Sequence, residues 1–255
     1  MPPLRLSSEQ VAKVISDALD QFYERRLNAL TGLKLKDVLK RKNPYLFKAA
    51  GVLNAGEIID GLLKAYMSSS EEGIFGDTFF EPIAVIVSGG VKSITDKVDI
   101  EVREGNLVRA YAIKSGPSIF NSSSWQQQVL AFEKCRARLS AKKLRFEAIV
   151  GYGYGRKKSK PGANPRHVSG QALWEELTGN PNFYLDMLDL MKKRPIEHLT
   201  QYQEAYAAAK NRFVAEFVQD FCYPDGRINW HTLAKYNSGK TKKADDPPED
   251  NGETP

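Results

Sequence analysis

Lys97-Val-Asp-Ile-Glu-Val-Arg103, Glu104-Gly-Asn-Leu107 and Val108-Arg-Ala-Tyr-Ala-Ile-Lys-Ser115 form the stretch whose periodicity decides the fold. Apolar and charged residues alternate on either side of Gly105-Asn106, a pair suited to the positive φ angles of a hairpin turn. The segment therefore predicts two antiparallel strands. With the turn centred between Gly105 and Asn106, Asp99 falls opposite Ala112, and Lys114 lies two residues further along on the same face. Asp99, Glu101 and Lys114 then crowd one patch. A carboxylate pair beside a lysine can hold a divalent cation through hard oxygen ligands, while the ammonium stabilises an oxyanion or activates water. The bland alternative is a solvated face, the ordinary fate of one charged side of a two-stranded ribbon. Val98, Ile100, Val102, Val108 and Ile113 mark a buried side, which places the ribbon in a larger sheet.

Around the hairpin the helical period dominates. Val11, Val14, Ile15, Leu19, Phe22, Leu27 and Leu30 predict helix from about Ser8 to Arg41, capped by Ser7 or Ser8 and interrupted at Gly32. Asn54 with Glu57 resembles a capping arrangement for a second helix through Tyr66. Ser68-Ser-Ser-Glu-Glu72 offers another N-cap, and the helix it would start sets Asp77 and Glu81 on one face before Pro82 kinks or ends it. After Gly116-Pro117, Asn121-Ser-Ser-Ser124 caps a long helix with a Trp125, Val129, Phe132 stripe; Gln127, Lys134 and Arg138 lie opposite. Phe146-Glu-Ala-Ile-Val-Gly151 reads as a buried central strand. Helices are expected around 170–178, 182–192 and 199–221. Residues 237–255 are polar, with prolines and acids, and are expected to be disordered. The predicted organisation is a helical packing region over 1–67, a core with C-terminal helices over 68–236, and this tail.

A chain of 255 residues with 42% hydrophobic content can bury one substantial core. No run approaches the roughly 18–20 apolar residues of a membrane span, and Met1-Pro-Pro-Leu-Arg5 lacks the apolar centre of a secretion signal. A soluble, cytoplasmic protein is expected. Cys135 and Cys222 show no metal or disulfide spacing, and His167, His198 and His231 form no pair that suggests a histidine-centred hydrolase. The net charge of +6 is moderate, but from Glu133 to Arg166 there are eleven Lys or Arg and only two acids. That local excess predicts a surface for phosphate backbones. Its sharpest part is the loop Gly155-Arg-Lys-Lys-Ser-Lys-Pro-Gly-Ala-Asn-Pro-Arg166, whose flexible punctuation suits a mobile contact to DNA.

The string Lys-Val-Asp-Ile-Glu-Val followed by Ala-Ile-Lys-Ser-Gly-Pro (112–117) resembles the PD-(D/E)xK nucleases, and in particular the PmeII-type group of type II restriction endonucleases. Lys42-Asn-Pro-Tyr-Leu-Phe47, Ser-Ser-Glu-Glu-Gly-Ile-Phe-Gly-Asp (69–77), Asn121-Ser-Ser123, Gly170-Gln-Ala-Leu-Trp174 and Leu177-Thr-Gly179 agree with that group, so the likeness spans roughly residues 40 to 220. It implies an α/β, restriction-endonuclease-like fold: a mixed central sheet flanked by helices, with an additional helical N-terminal part. It also implies Mg²⁺-dependent hydrolysis of phosphodiester bonds in double-stranded DNA at a specific sequence, by a homodimer working alongside a DNA methyltransferase.

The pattern departs at Ala112, where the superfamily has an acid. The resemblance thus carries over Asp99 and Lys114 as catalytic residues, with Glu81 as the first candidate for the missing carboxylate, Glu81 or Glu101 as the second metal ligand, and Glu133 as the nearby acid on the helix after the hairpin. Ser115, Asn121, Ser122, Gln127, Arg156, Lys157, Lys158, Lys160 and Arg166 are the expected DNA contacts. Two alternatives accompany this expectation: a structure- or damage-directed repair nuclease, and a DNA-binding relative that has lost catalysis at Ala112.

Overall fold

The computed structural model describes residues 6–40, 42–191 and 194–239. Among them the hairpin supplies the second and third strands of a five-stranded sheet in the order β1 (Val91–Lys92), β2 (Ile100–Glu104), β3 (Leu107–Lys114), β4 (Arg145–Tyr152) and β5 (Arg166–Ser169). β1–β2 and β2–β3 pair antiparallel, β3–β4 and β4–β5 parallel. The β2–β3 ladder runs from Glu104↔Leu107 to Ile100↔Tyr111, in the register the turn predicts. Gly105 takes φ +60°, as the first central residue of a type II′ turn requires.

Ten helices accompany the sheet among the described residues: α1 (Ser8–Thr31), α2 (Leu35–Leu39), α3 (Pro44–Ala49), α4 (Ala55–Phe75), α5 (Glu81–Val87), α6 (Ser122–Ser140), α7 (Gln171–Thr178), α8 (Phe183–Met191), α9 (Arg194–Phe221) and α10 (Trp230–Ser238). Reciprocal hydrogen bonds between Ser7 and Gln10 start α1. Asn121 and Ser124 form a full capping box on α6. This is the expected mixed α/β architecture.

Both faces of the sheet are covered, so the one-sided burial expected from the hairpin is corrected. Ile100, Val102, Tyr111, Ile113, Ile149 and Val168 join a core with α1, α5, α7 and α8, in which Trp174 and Phe79 are the large members. Val98, Val108, Ala110, Ala112, Ala148, Val150 and Tyr152 form a second core with Ala131, Phe132, Cys135 and Leu139 of α6. A βαβ crossover packs its helix on the sheet, and α6 does so here between β3 and β4.

Three further expectations are revised. Ser68-Ser-Ser70 starts no helix: α4 runs through it, because the apolar spacing of Leu63, Met67 and Phe75 outweighs the local capping signal. The expected kink lies just ahead of Pro82, as a π-helical turn over Gly76–Phe80 in which the Glu81 N–H reaches back to Gly76 O. Pro82 sits in the first turn of α5, where its missing N–H is tolerated. α10 runs to Ser238, into the stretch expected to be disordered; residues 240–255 lie outside the described residues.

The chain groups into two units that interleave in sequence: residues 1–30 with 67–205, and 31–66 with 206–255. The first holds the sheet and both cores. In the second, Asn43 caps α3, and Asn54 and Glu57 bind one another and the start of α4. There too Asp60 pairs with both Lys64 and Lys210.

Candidate active site

The parallel pairing brings the C-terminal ends of three strands to one sheet edge: Lys114 pairs with Tyr152, and Tyr152 with Ser169. In open α/β sheets ligands gather outside the carboxyl ends of strands. From this edge depart the Ser115-Gly116 turn towards α6, the basic loop after Tyr152, and the Gly170 turn into α7.

Asp99 stands immediately before β2. Its backbone N–H donates to Tyr111 O (2.8 Å), and its Oδ2 accepts the Ile113 N–H (2.6 Å). The carboxylate thus continues the hairpin ladder where backbone pairing stops, which holds it beside Lys114, with Nζ 3.6 Å from Oδ2. The Asp99 side chain is only 14% exposed. Burial pushes its carboxyl above the ordinary carboxylate value, Lys114 opposes the rise, and the charge of Glu81 adds to it. Glu81, first residue of α5, therefore shares the electrostatic neighbourhood of Asp99. Its resting partner is Lys92, at 3.3 Å.

Lys114 and Glu81 line an open cleft together with Asp77, Glu72 and Lys97. The structure thus sets Lys114 beside Asp99, and Lys114, Glu81 and Asp77 on one cleft. Among the described residues no group of three or more His, Cys, Asp or Glu is close enough to form a metal cage. No described helix is long and apolar enough to cross a membrane.

Glu101 departs from expectation. It is 11% exposed, and its Oε1 accepts from Arg138 (2.5 Å) and from Ser93 Oγ (2.5 Å). Its charge is already compensated by Arg138 of α6. Ser115 is likewise withdrawn from an exposed role: it is 2% exposed and donates its hydroxyl to Glu72 (2.5 Å).

Arg166 lies in β5 rather than in the loop. Its guanidinium binds Glu147 (2.9 Å) and makes a two-pronged pair with Glu176 (2.8 and 2.7 Å). These hydrogen bonds hold its pKa above the ordinary arginine value. In sequence Pro165-Arg166 reads as the end of a loop, whereas the parallel pairing Ile149↔Arg166 draws the arginine into the sheet.

The remaining expected contacts are exposed. The Asn121 side chain caps α6 and Ser122 is the first residue of that helix. Gln127 accepts from the Lys97 ammonium at the cleft. Arg156, Lys157, Lys158 and Lys160 are exposed on the loop after β4. That loop is tied down rather than free: Ser169 Oγ donates to Lys157 O (2.8 Å), and the His167 N–H donates to Ser159 Oγ (2.6 Å).

Sequence reasoning passed over Glu72, which accepts from both Ser115 and Tyr154 (3.0 Å). It also passed over Lys97, and over the inward-facing Gln128, 2% exposed, which donates to Lys97 O (2.8 Å). The Glu-Glu pair at 71–72 and the glutamine run 126–128 were the available signals.

Residues 9–198 match the family model of the type II restriction endonuclease EcoO109I, a stretch that includes every strand of the sheet and most of the chain. No curated protein matches the sequence. The motif resemblance reached the same class through the PmeII-type group, and the family model gives it a different name. With that match laid over the hairpin, the cleft and both cores, the chain belongs to the EcoO109I family of type II restriction endonucleases.

Proposed function

We propose that this restriction endonuclease hydrolyses phosphodiester bonds of double-stranded DNA at a specific sequence, with Mg²⁺, through a PD-(D/E)xK-type centre of Asp99, Glu81 and Lys114. The observation that carries the reading is the convergence of a buried carboxylate, a second carboxylate that raises its pKa, and a lysine 3.6 Å from the first.

The donor set fits the metal. Its donors are carboxylate oxygens, which suit a hard cation, and Mg²⁺ is ordinarily held by one or two carboxylates with waters and substrate phosphate completing the shell. The electrostatics agree: two carboxylates sharing a neighbourhood with one lysine leave negative charge that a divalent ion relieves. Asp99 and Glu81 would hold it, and when bound it supplies neutralisation of phosphate charge and a more acidic water.

The chain's own groups do the rest. The Ile113 N–H fixes the Asp99 carboxylate in one orientation. Lys114 is placed to donate to a non-bridging phosphate oxygen or to the attacking water. The exposed cations at 156, 157, 158 and 160 hold the duplex backbone on the strand-end edge.

The test is digestion of phage genomic DNA with and without MgCl₂, by the wild type, Asp99→Ala, Lys114→Ala and Glu81→Gln. Discrete fragments that require Mg²⁺, and losses of roughly 100-fold or more in each variant, are expected. Undiminished cutting by Asp99→Ala or Lys114→Ala would refute the assignment. Ala112 favours a second reading, a DNA-binding relative without catalysis, since it is fully buried and offers no oxygen at the superfamily's acid position. Salt-sensitive binding without metal-dependent nicking would select it. Two-fold sites suit two-fold proteins, so a homodimer belongs to the first reading and is checked by sedimentation.

A further inference from the structure

The turn just before Asp99 carries a lysine where its backbone favours glycine. The Val98 N–H donates to Thr95 O (3.1 Å), closing a β-turn with Asp96 and Lys97 at its centre. Lys97 sits at φ +61°. Gly or Asn ordinarily takes the third place of a turn with positive φ, and a longer side chain there is strained.

Two residues of α6 hold the strained lysine. Gln128 donates its buried amide to Lys97 O (2.8 Å), and Gln127 accepts from the ammonium. The result is an exposed lysine presented to the cleft. Lys97 and Lys114 are the two cations lining that cleft among the described residues, facing the carboxylates of Glu72, Asp77 and Glu81. A polyanion entering an acidic cleft needs cations beyond the one engaged with Asp99.

We propose that Lys97 is a phosphate-binding residue, its ammonium pairing with a backbone phosphate next to the one that meets Lys114. The identity of the ligand as DNA rests on the nuclease reading above. Strained backbone at a cleft then has a use: the turn positions a charge that an unstrained glycine could not supply.

The test measures binding of the full chain to a fluorescein-labelled 30-base-pair duplex of mixed sequence, without metal, from 50 to 200 mM NaCl. Lys97→Gly should bind about three- to ten-fold more weakly, and its plot of log K against log salt should be shallower by about 0.9, one phosphate contact. Lys97→Asn, which tolerates the same backbone, should behave alike, and Lys97→Arg should restore the slope. The melting temperature of Lys97→Gly should not fall, because glycine relieves the positive φ. Wild-type affinity and slope in the Gly and Asn variants would overturn the proposal and leave Lys97 a turn residue only. The readout needs no cleavage, so a wild type that leaves phage DNA whole would remove the nuclease reading while the slope still decides the phosphate contact.

Discussion

Replacing Arg166 with alanine separates a structural arginine from a DNA-contacting one. Its guanidinium links β5 to Glu147 of β4 and to Glu176 of α7 by three charge-assisted hydrogen bonds of 2.7–2.9 Å. Each such bond contributes about 1.5–3 kcal/mol when sheltered. The side chain is 33% exposed, so solvent screening reduces the sum. Glu147 also keeps Arg109 and Glu176 keeps the Tyr111 hydroxyl, which limits the loss further.

A net cost of about 2–3 kcal/mol follows, and at this chain length that lowers Tm by roughly 5–10 °C. Thermal melts by circular dichroism measure it, with duplex binding followed over a salt series. Arg166→Ala should melt early and keep the wild-type salt slope, whereas Lys158→Ala on the exposed loop should keep Tm and lose about one unit of slope. An Arg166→Ala protein with wild-type Tm and a shallower slope would refute this account of the network.

Two more perturbations test the site. The folded protein holds the Asp99 proton more tightly than the unfolded chain does, because burial raises its pKa above the ordinary carboxylate value. Ionised Asp99 therefore costs stability at neutral pH, and the cost disappears as pH falls to that value and below. Asp99→Asn, whose amide oxygen can still accept from Ile113, should melt above the wild type at pH 7.5, lose that advantage near pH 4, and fail to cut DNA; a lower Tm at pH 7.5 would contradict this. Restoring an acid with Ala112→Glu should lower stability by several kcal/mol, since position 112 is fully buried in the α6-side core; a wild-type melting curve would show that the site accommodates the carboxylate.

The hairpin was legible because its information is local: alternation and one Gly-Asn pair set the register that brings Asp99 and Lys114 together. The caps at Asn54 and Asn121 were legible for the same reason. What escaped depends on distant partners. Glu101 reads as a ligand until Arg138, 37 residues away, takes its charge. Arg166 reads as loop until β4 pairs with it, and β5 is too short to announce itself by periodicity. The fate of Ser68–Ser70 turned on packing along α4, to which a capping signal is blind. Lys97 was hidden because nothing local marks a lysine at positive φ; the hold on it comes from α6.

The π-helical turn at Gly76–Phe80 has a consequence for how this protein can change. Successive helical residues rotate by about 100°, and the wide turn takes up one residue beyond the α-helical count without passing that rotation on to α5. Deleting one residue between Phe75 and Glu81 would return the turn to α-helical spacing and leave the direction of Glu81 nearly unchanged. Single-residue changes of length are therefore better absorbed in this segment than within α4 or α5, where each would rotate the residues beyond it by about 100°.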